Sequence, residues 1–166
     1  MKETLKQILA PYQERAEKAL LERKEHFGSQ SKLKEACLYA LSHGGKRFRP
    51  ALVWMVAEAL NKGLDATEAA LAVEYFHTAS LIADDLPCMD DEKERRGSPT
   101  THAVFGEATA LLASYALIAE GYASLGRSNP SSLALALEHA GRTTGIEGAT
   151  GGQYLDLYPP EEDLKT

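Results

Sequence analysis

The sequence predicts an all-α protein, a helical bundle, on three observations. Apolar residues recur at spacings of three and four in almost every segment, and alternating β-branched runs bounded by hairpin turns are absent. Glycine, proline and short Ser/Asn clusters fall between the periodic stretches, where helices should stop.

The first helix is expected over 3–26, with a bend at Pro11, and it ends at Gly28 before a polar turn at 29–31. A second follows over 32–42 and is stopped by Gly44 and Gly45. Pro50 suits a first helical turn, so a third helix is expected over 50–61, with the basic stretch Lys46, Arg47, Phe48 and Arg49 left in a loop. That third helix is apolar nearly all round, which predicts burial. Asp65 with Glu68 three residues later has the form of a capping box, opening a helix over 66–84 that Pro87 ends. A polar loop over 88–101 leads to a helix over 105–125, closed by Gly126, Ser128, Asn129 and Pro130. After a short helix from Ser131, the glycines 141, 145, 148 and 152 place a small-residue stripe on one helix face, which predicts close packing. Pro159 and Pro160 break that last helix. With no repeat and no linker, 1–166 reads as one ordinary domain or a large piece of a bigger single-domain fold.

The composition, 44% hydrophobic and 25% charged, excludes a low-complexity polymer, and a net charge of -6 argues against general nucleic-acid affinity. Cys37 and Cys88 are too few for a disulfide scaffold and read as free thiols in a reducing cytoplasm. The N-terminal stretch lacks the apolar run of a signal peptide, and no segment reads as a transmembrane span.

The strongest chemical signal is the stretch DDLPCMDD at 84–91, four carboxylates at the end of an apolar helix. Clustered carboxylates at the rim of a core need cations, and such a cluster suits magnesium, which shares its coordination with water and substrate phosphates. A solvated acidic turn is the alternative for that motif alone. Arg95 and Arg96 follow directly, and guanidinium forks match diphosphate oxygens. Lys46 and Arg49, beside Gly44 and Gly45, suggest a second phosphate site. His77 lies seven positions before Asp84, within about 20° of the same helix face. Gln153 and Asp156, next to the glycine stripe, line the same cavity or form a satisfied polar pair.

The stretches GGKRFRP at 44–50, His77 to Asp91 with RRG at 95–97, and GGQYLDL at 151–157 resemble, in order and spacing, the trans-polyprenyl diphosphate synthases. The resemblance implies an isoprenoid-synthase helical bundle, incomplete at the C-terminus, and a homodimer. It implies magnesium on Asp84, Asp85 and Asp90, and the allylic diphosphate on Arg95. It further implies isopentenyl diphosphate on Lys46, Arg49, His77 and Arg96, and substrate contacts from Gln153 and Asp156. The implied reaction is ionisation of an allylic diphosphate, attack by the isopentenyl double bond, and loss of a proton to the released diphosphate. The small Ala79 and Ser80 beneath Asp84 imply control of chain length, with a lean toward the geranylgeranyl product. Ser98 and the pair Ser114-Tyr115 depart from the family pattern, where altered packing is expected. The family carries a second aspartate-rich motif absent from these residues, so the chain by itself is expected not to turn over. A class I terpene cyclase would not need the Lys46/Arg49 site, and a non-catalytic partner subunit would not need to keep the charged ligands.

Overall fold

The computed structural model describes residues 4–43, 45–60 and 63–160; Gly44, the end of the expected third helix at 61 and the acidic stretch after Pro160 lie outside them. The chain forms two compact units, Met1–Ser128 and Asn129–Thr166.

In the first unit, α1 spans Leu5–Arg23 and runs through Pro11 without interruption. Thr4 and Gln7 cap it reciprocally, satisfying amides that a helix start leaves unpaired. A 3-10 turn, Lys24–Phe27, follows, and Gly28 then takes a φ of 72°. Ser31 caps α2, Lys32–Ser42. Next come α3, Phe48–Ala59, and α4, Thr67–Asp84. A two-stranded hairpin of β1, Glu94–Arg95, and β2, Ser98–Pro99, precedes α5, Thr101–Phe105, and α6, Glu107–Gly126.

Helix α4 is the spine. Its buried Leu71, Tyr75, Ala79 and Ile82 pack with Leu20 of α1, Cys37 and Leu41 of α2, and Ala110, Ala113 and Leu117 of α6. Small residues bring α4 and α6 together: a Cβ at Gly121 would sit 2.6 Å from the Phe76 ring. The Ser114 hydroxyl donates to the Ala79 carbonyl at 2.9 Å, so the departure from the family pattern at 114 is a buried cross-helix hydrogen bond. A smaller cluster of Ala16, Trp54 and Ala70 joins α1, α3 and α4.

Several expectations need correction. Phe48 and Arg49 belong to the first turn of α3 rather than to a loop, with Pro50 in that turn. Helix α3 is buried on one side only: Ala51 and Trp54 face inward, while Leu52, Val56 and Leu60 are exposed. An all-apolar helix therefore leaves one face uncovered. The expected capping box at α4 does not form, because the Asp65 carboxylate takes the Thr67 amide while Glu68 turns elsewhere. Helix α6 is long and apolar enough to cross a membrane, contrary to the sequence reading; here its Ala110, Ala113 and Leu117 pack in the core. Cys37 is buried, which pushes its thiol up to about 11, and Cys88 is exposed; both are free.

The second unit holds a 3-10 turn, Pro130–Ser132, then α7, Leu133–Thr144, and α8, Ala149–Leu157. The glycines do not form a stripe on one helix. Gly145 and Gly148 mark the break between α7 and α8, while Gly141 lies in α7 and Gly152 in α8; a Cβ at Gly148 would lie 2.0 Å from the Thr143 carbonyl oxygen, and one at Gly151 in the first turn of α8 would lie 1.7 Å from that of Ile146.

Glu68 ties three helices. One carboxylate oxygen accepts from Arg23, the other from the Ser124 hydroxyl at 2.7 Å and from Arg127 at 3.2 Å. These bonds hold its carboxyl below the ordinary range although burial opposes ionisation. Glu68→Ala removes the carboxylate that Arg23 pairs with and leaves Arg127 with Glu120 alone, and a loss of about 2 kcal/mol in unfolding free energy is expected in urea denaturation. An unchanged midpoint would contradict the role given to this cluster.

Candidate functional site

The site begins with the residue that the sequence reading passed over. Arg47 adopts a left-handed conformation, φ 42° and ψ 35°, as the N-cap of α3. A residue with a Cβ pays about 1–2 kcal/mol for this geometry, and the side chain's bonds offset it. Its guanidinium is 3% exposed. Nε donates to Glu17 and Nη1 to Glu74, each at 2.6 Å, and Nη2 donates to the Leu41 carbonyl. With Arg47 turned inward, Lys46 and Arg49 on either side are left toward water.

The hairpin supplies the facing wall. Arg96 and Gly97 have φ values of 55° and 78°, the positive pair that a tight two-residue hairpin turn requires. The Tyr39 hydroxyl donates to the Pro99 carbonyl at 2.8 Å, anchoring the hairpin to α2. Arg96 packs onto Gly45 so closely that a Cβ there would lie 2.5 Å from Nη1. The result is a cleft of about 440 Å³ lined by Lys46, Arg49, His77 and Arg96, with Gly45, Arg47, Phe48 and Glu74. Four of the predicted substrate residues thus share one cleft.

His77 Nε2 accepts from Arg49 Nη1 at 3.1 Å, since a guanidinium has donors and no acceptor. Burial and then the neighbouring arginines, Arg49 first, lower its pKa to about 4, so the ring is neutral at physiological pH and can accept from Arg49. An anion in the cleft would offset those positive charges and raise it.

The acidic motif folds back on itself. The Asp90 amide donates to the Asp84 carbonyl at 2.9 Å and the Asp91 amide to that of Leu86 at 3.1 Å, while buried Leu86 pins the loop. Asp90 is thereby exposed beside the half-buried Asp84. Asp85 differs: it is 4% exposed, and its carboxylate accepts from Arg95 Nε at 2.6 Å. Burial raises its pKa and the Arg95 bond works against that shift. Asp85 therefore faces an arginine, where the sequence reading gave it a metal. Among the described residues, no three His, Cys, Asp or Glu side chains converge as a metal site.

Of the remaining candidates, Ala79 is 1% exposed in the core and Ser80 is exposed, its hydroxyl bonded to the His77 carbonyl. Gln153 and Asp156 lie on α8 of the second unit, the first half-buried and the second exposed. Sequence reasoning missed Glu17 and Glu74; a glutamate one turn before His77 on an otherwise apolar helix was the available signal for a buried counter-charge.

Residues 30–166 match the polyprenyl synthetase family. The chain is 41% identical over 164 residues to farnesyl diphosphate synthase of Bacillus subtilis (strain 168), covering 95% of this chain and 55% of the relative. It is 46% identical over 130 residues to geranylgeranyl pyrophosphate synthase 6, mitochondrial, of Arabidopsis thaliana, covering 74% of this chain and 38% of that one. The solved geranyltransferase from Legionella pneumophila superposes with a TM-score of 0.87 at 32% identity, covering 97% of this chain and 59% of the other. The chain thus has the helical fold of the isoprenoid synthases and spans about half the length of the curated relatives it matches.

Two outcomes follow from the geometry. The unfolded chain takes up a proton at His77 near 6.5, whereas the folded chain resists until about 4, so folding stability falls as pH drops through that window. In denaturant titrations at about pH 7 and about pH 4.5, His77→Gln is expected to lose less stability on acidification than the unaltered protein; equal losses would contradict the neutral, buried ring. Gly45→Ala should push the Arg96 guanidinium out of the cleft and weaken pyrophosphate binding about tenfold by calorimetry, one charge-assisted contact's worth. Unaltered affinity would remove Arg96 from the cleft's anion-binding set.

Proposed function

Because the chain belongs to the polyprenyl synthetase family, we propose that it belongs to a short-chain prenyltransferase and holds residues for both diphosphate substrates. The reaction joins isopentenyl diphosphate head to tail with an allylic diphosphate to give farnesyl or geranylgeranyl diphosphate. The observation that carries this reading is the convergence of Lys46, Arg49, His77 and Arg96 on one cleft. Relatives named for both products support it.

In this reading the cleft takes isopentenyl diphosphate. Lys46 offers a point charge, while Arg49 and Arg96 offer forks that fit phosphate oxygens in pairs. Arg95, oriented by Asp85 through its Nε, presents its remaining donors to the allylic diphosphate. The donor chemistry at Asp84 and Asp90 fits Mg2+, since the loop's backbone folds residue 90 back onto residue 84 and two carboxylates would leave coordination sites for water and phosphate oxygens. When bound, Mg2+ would neutralise charge on the departing diphosphate. Asp85, the third carboxylate assigned from sequence, acts here by positioning Arg95. The apolar faces of α4 and α6 exclude water from the cationic carbon. Proton loss goes to the released diphosphate.

Ala79 and Ser80, small residues below Asp84, set the room available to the growing chain, which favours the longer product. In this reading the protein works as a homodimer in the cytoplasm.

The test is turnover of isopentenyl and geranyl diphosphates with magnesium. It compares the 166-residue protein alone with a hybrid that continues into the C-terminal remainder of the Bacillus subtilis relative. The hybrid is expected to make prenyl product and the chain alone none, because one wall of charge neutralisation is insufficient for ionisation. Loss of a charge-assisted bond costs about 1.5–3 kcal/mol, so Arg95→Ala in the hybrid should lower kcat/KM about ten- to a hundredfold. A hybrid without activity, or an Arg95→Ala hybrid with unaltered kcat/KM, would contradict the assignment.

A further inference from the structure

Two residues of α1 that never touch the cleft hold its basic wall in place. Gln13 and Glu17 stand four positions apart on α1, hence on one face. The Gln13 side-chain amide donates to the Lys46 carbonyl at 2.7 Å. The Glu17 carboxylate accepts from Arg47 Nε at 2.6 Å, and neither residue lines the cleft. Between them they fix Lys46 and Arg47, the second of which turns the backbone left-handed into α3.

We propose that Gln13 and Glu17 are positioning residues for the diphosphate cleft, acting through the Lys46 backbone and the Arg47 guanidinium to keep Lys46 and Arg49 pointed at the anion. This rests on the cleft being a diphosphate site, as proposed above. Arg47 belongs to the same device: each of its three nitrogens already donates, to Glu17, Glu74 and the Leu41 carbonyl, so it braces the cleft and leaves the anion to its neighbours. The bracing has a cost in preorganisation when lost, because a basic loop free to move must be ordered again by each anion that binds.

The sign of one effect separates this account from simple electrostatics. Removing the negative charge of Glu17 near an anion site should tighten anion binding if only the field mattered, and would release Arg47 to bind the anion if Arg47 were a ligand. Positioning predicts the reverse. Glu17→Ala, at a half-exposed helical position where alanine favours the helix, is expected to fold normally. Its affinity for inorganic pyrophosphate, measured by calorimetry at fixed salt, is expected to fall about three- to tenfold. Glu17→Gln keeps an acceptor oxygen for Arg47 Nε and is expected to bind better than Glu17→Ala, although both lack the charge. Gln13→Ala should weaken binding in the same direction as Glu17→Ala. Tighter or unchanged binding in Glu17→Ala, or equal affinities for the two Glu17 variants, would overturn the positioning role. Lys46→Met is the independent control on the cleft itself. If it leaves pyrophosphate binding intact, or if the unaltered chain binds no pyrophosphate, the diphosphate reading fails first and the positioning role with it.

Discussion

A guanidinium withdrawn from water needs partners for its charge and its donors, and each of the three Arg47 nitrogens finds one, on three different helices. Glu17 comes from α1, Glu74 from α4 and the Leu41 carbonyl from α2. Burying one charge without these partners would cost several kcal/mol, so the triad is a condition on the backbone as much as a source of stability. It holds residue 47 in a conformation that a chiral residue avoids, and that conformation aims Lys46 and Arg49 outward. The cleft's electrostatics depend on this inward arginine, since the same residue turned outward would leave Glu74, a cleft-lining carboxylate, unopposed.

The second charged layer follows the same logic. Asp85, nearly buried, is paired with Arg95, and the loop closes so that Asp90 comes back to Asp84. Alternation of roles along the motif separates a carboxylate that orients an arginine from carboxylates left at the rim. The hairpin turn at Arg96 and Gly97 then sets consecutive arginines to different tasks, one held by Asp85 and the other packed on Gly45. Positive backbone angles at 47 and 96 are the local strain that makes two charged walls face each other.

Much of this was legible in the sequence because helical periodicity and glycine or proline stops report directly on local structure. The bounds of α2 match the expectation, and α4 ends at Asp84 as expected. The charged motifs also announced themselves, since carboxylates and arginines clustered beside apolar helices have few bland explanations. What periodicity could not reveal is long-range pairing. Glu68 reads as a cap from its spacing to Asp65, yet Arg23, Ser124 and Arg127, all distant in sequence, claim it. Asp85 looks like its neighbour Asp84 in the sequence and differs only because Arg95 folds back on it. Arg47 looked like one more basic residue in a loop, and only the approach of α1 shows why it faces inward. The glycines of the second unit misled for a different reason: helical spacing on paper survives even where the helix itself breaks.

The most direct measurement is a crystal structure of the chain soaked with inorganic pyrophosphate. The account predicts phosphate oxygens within hydrogen-bond distance of Lys46, Arg49 and Arg96, with His77 alongside and Arg47 still bonded to Glu17 and Glu74. Pyrophosphate held by an outward-turned Arg47, or seated away from this cleft, would contradict it.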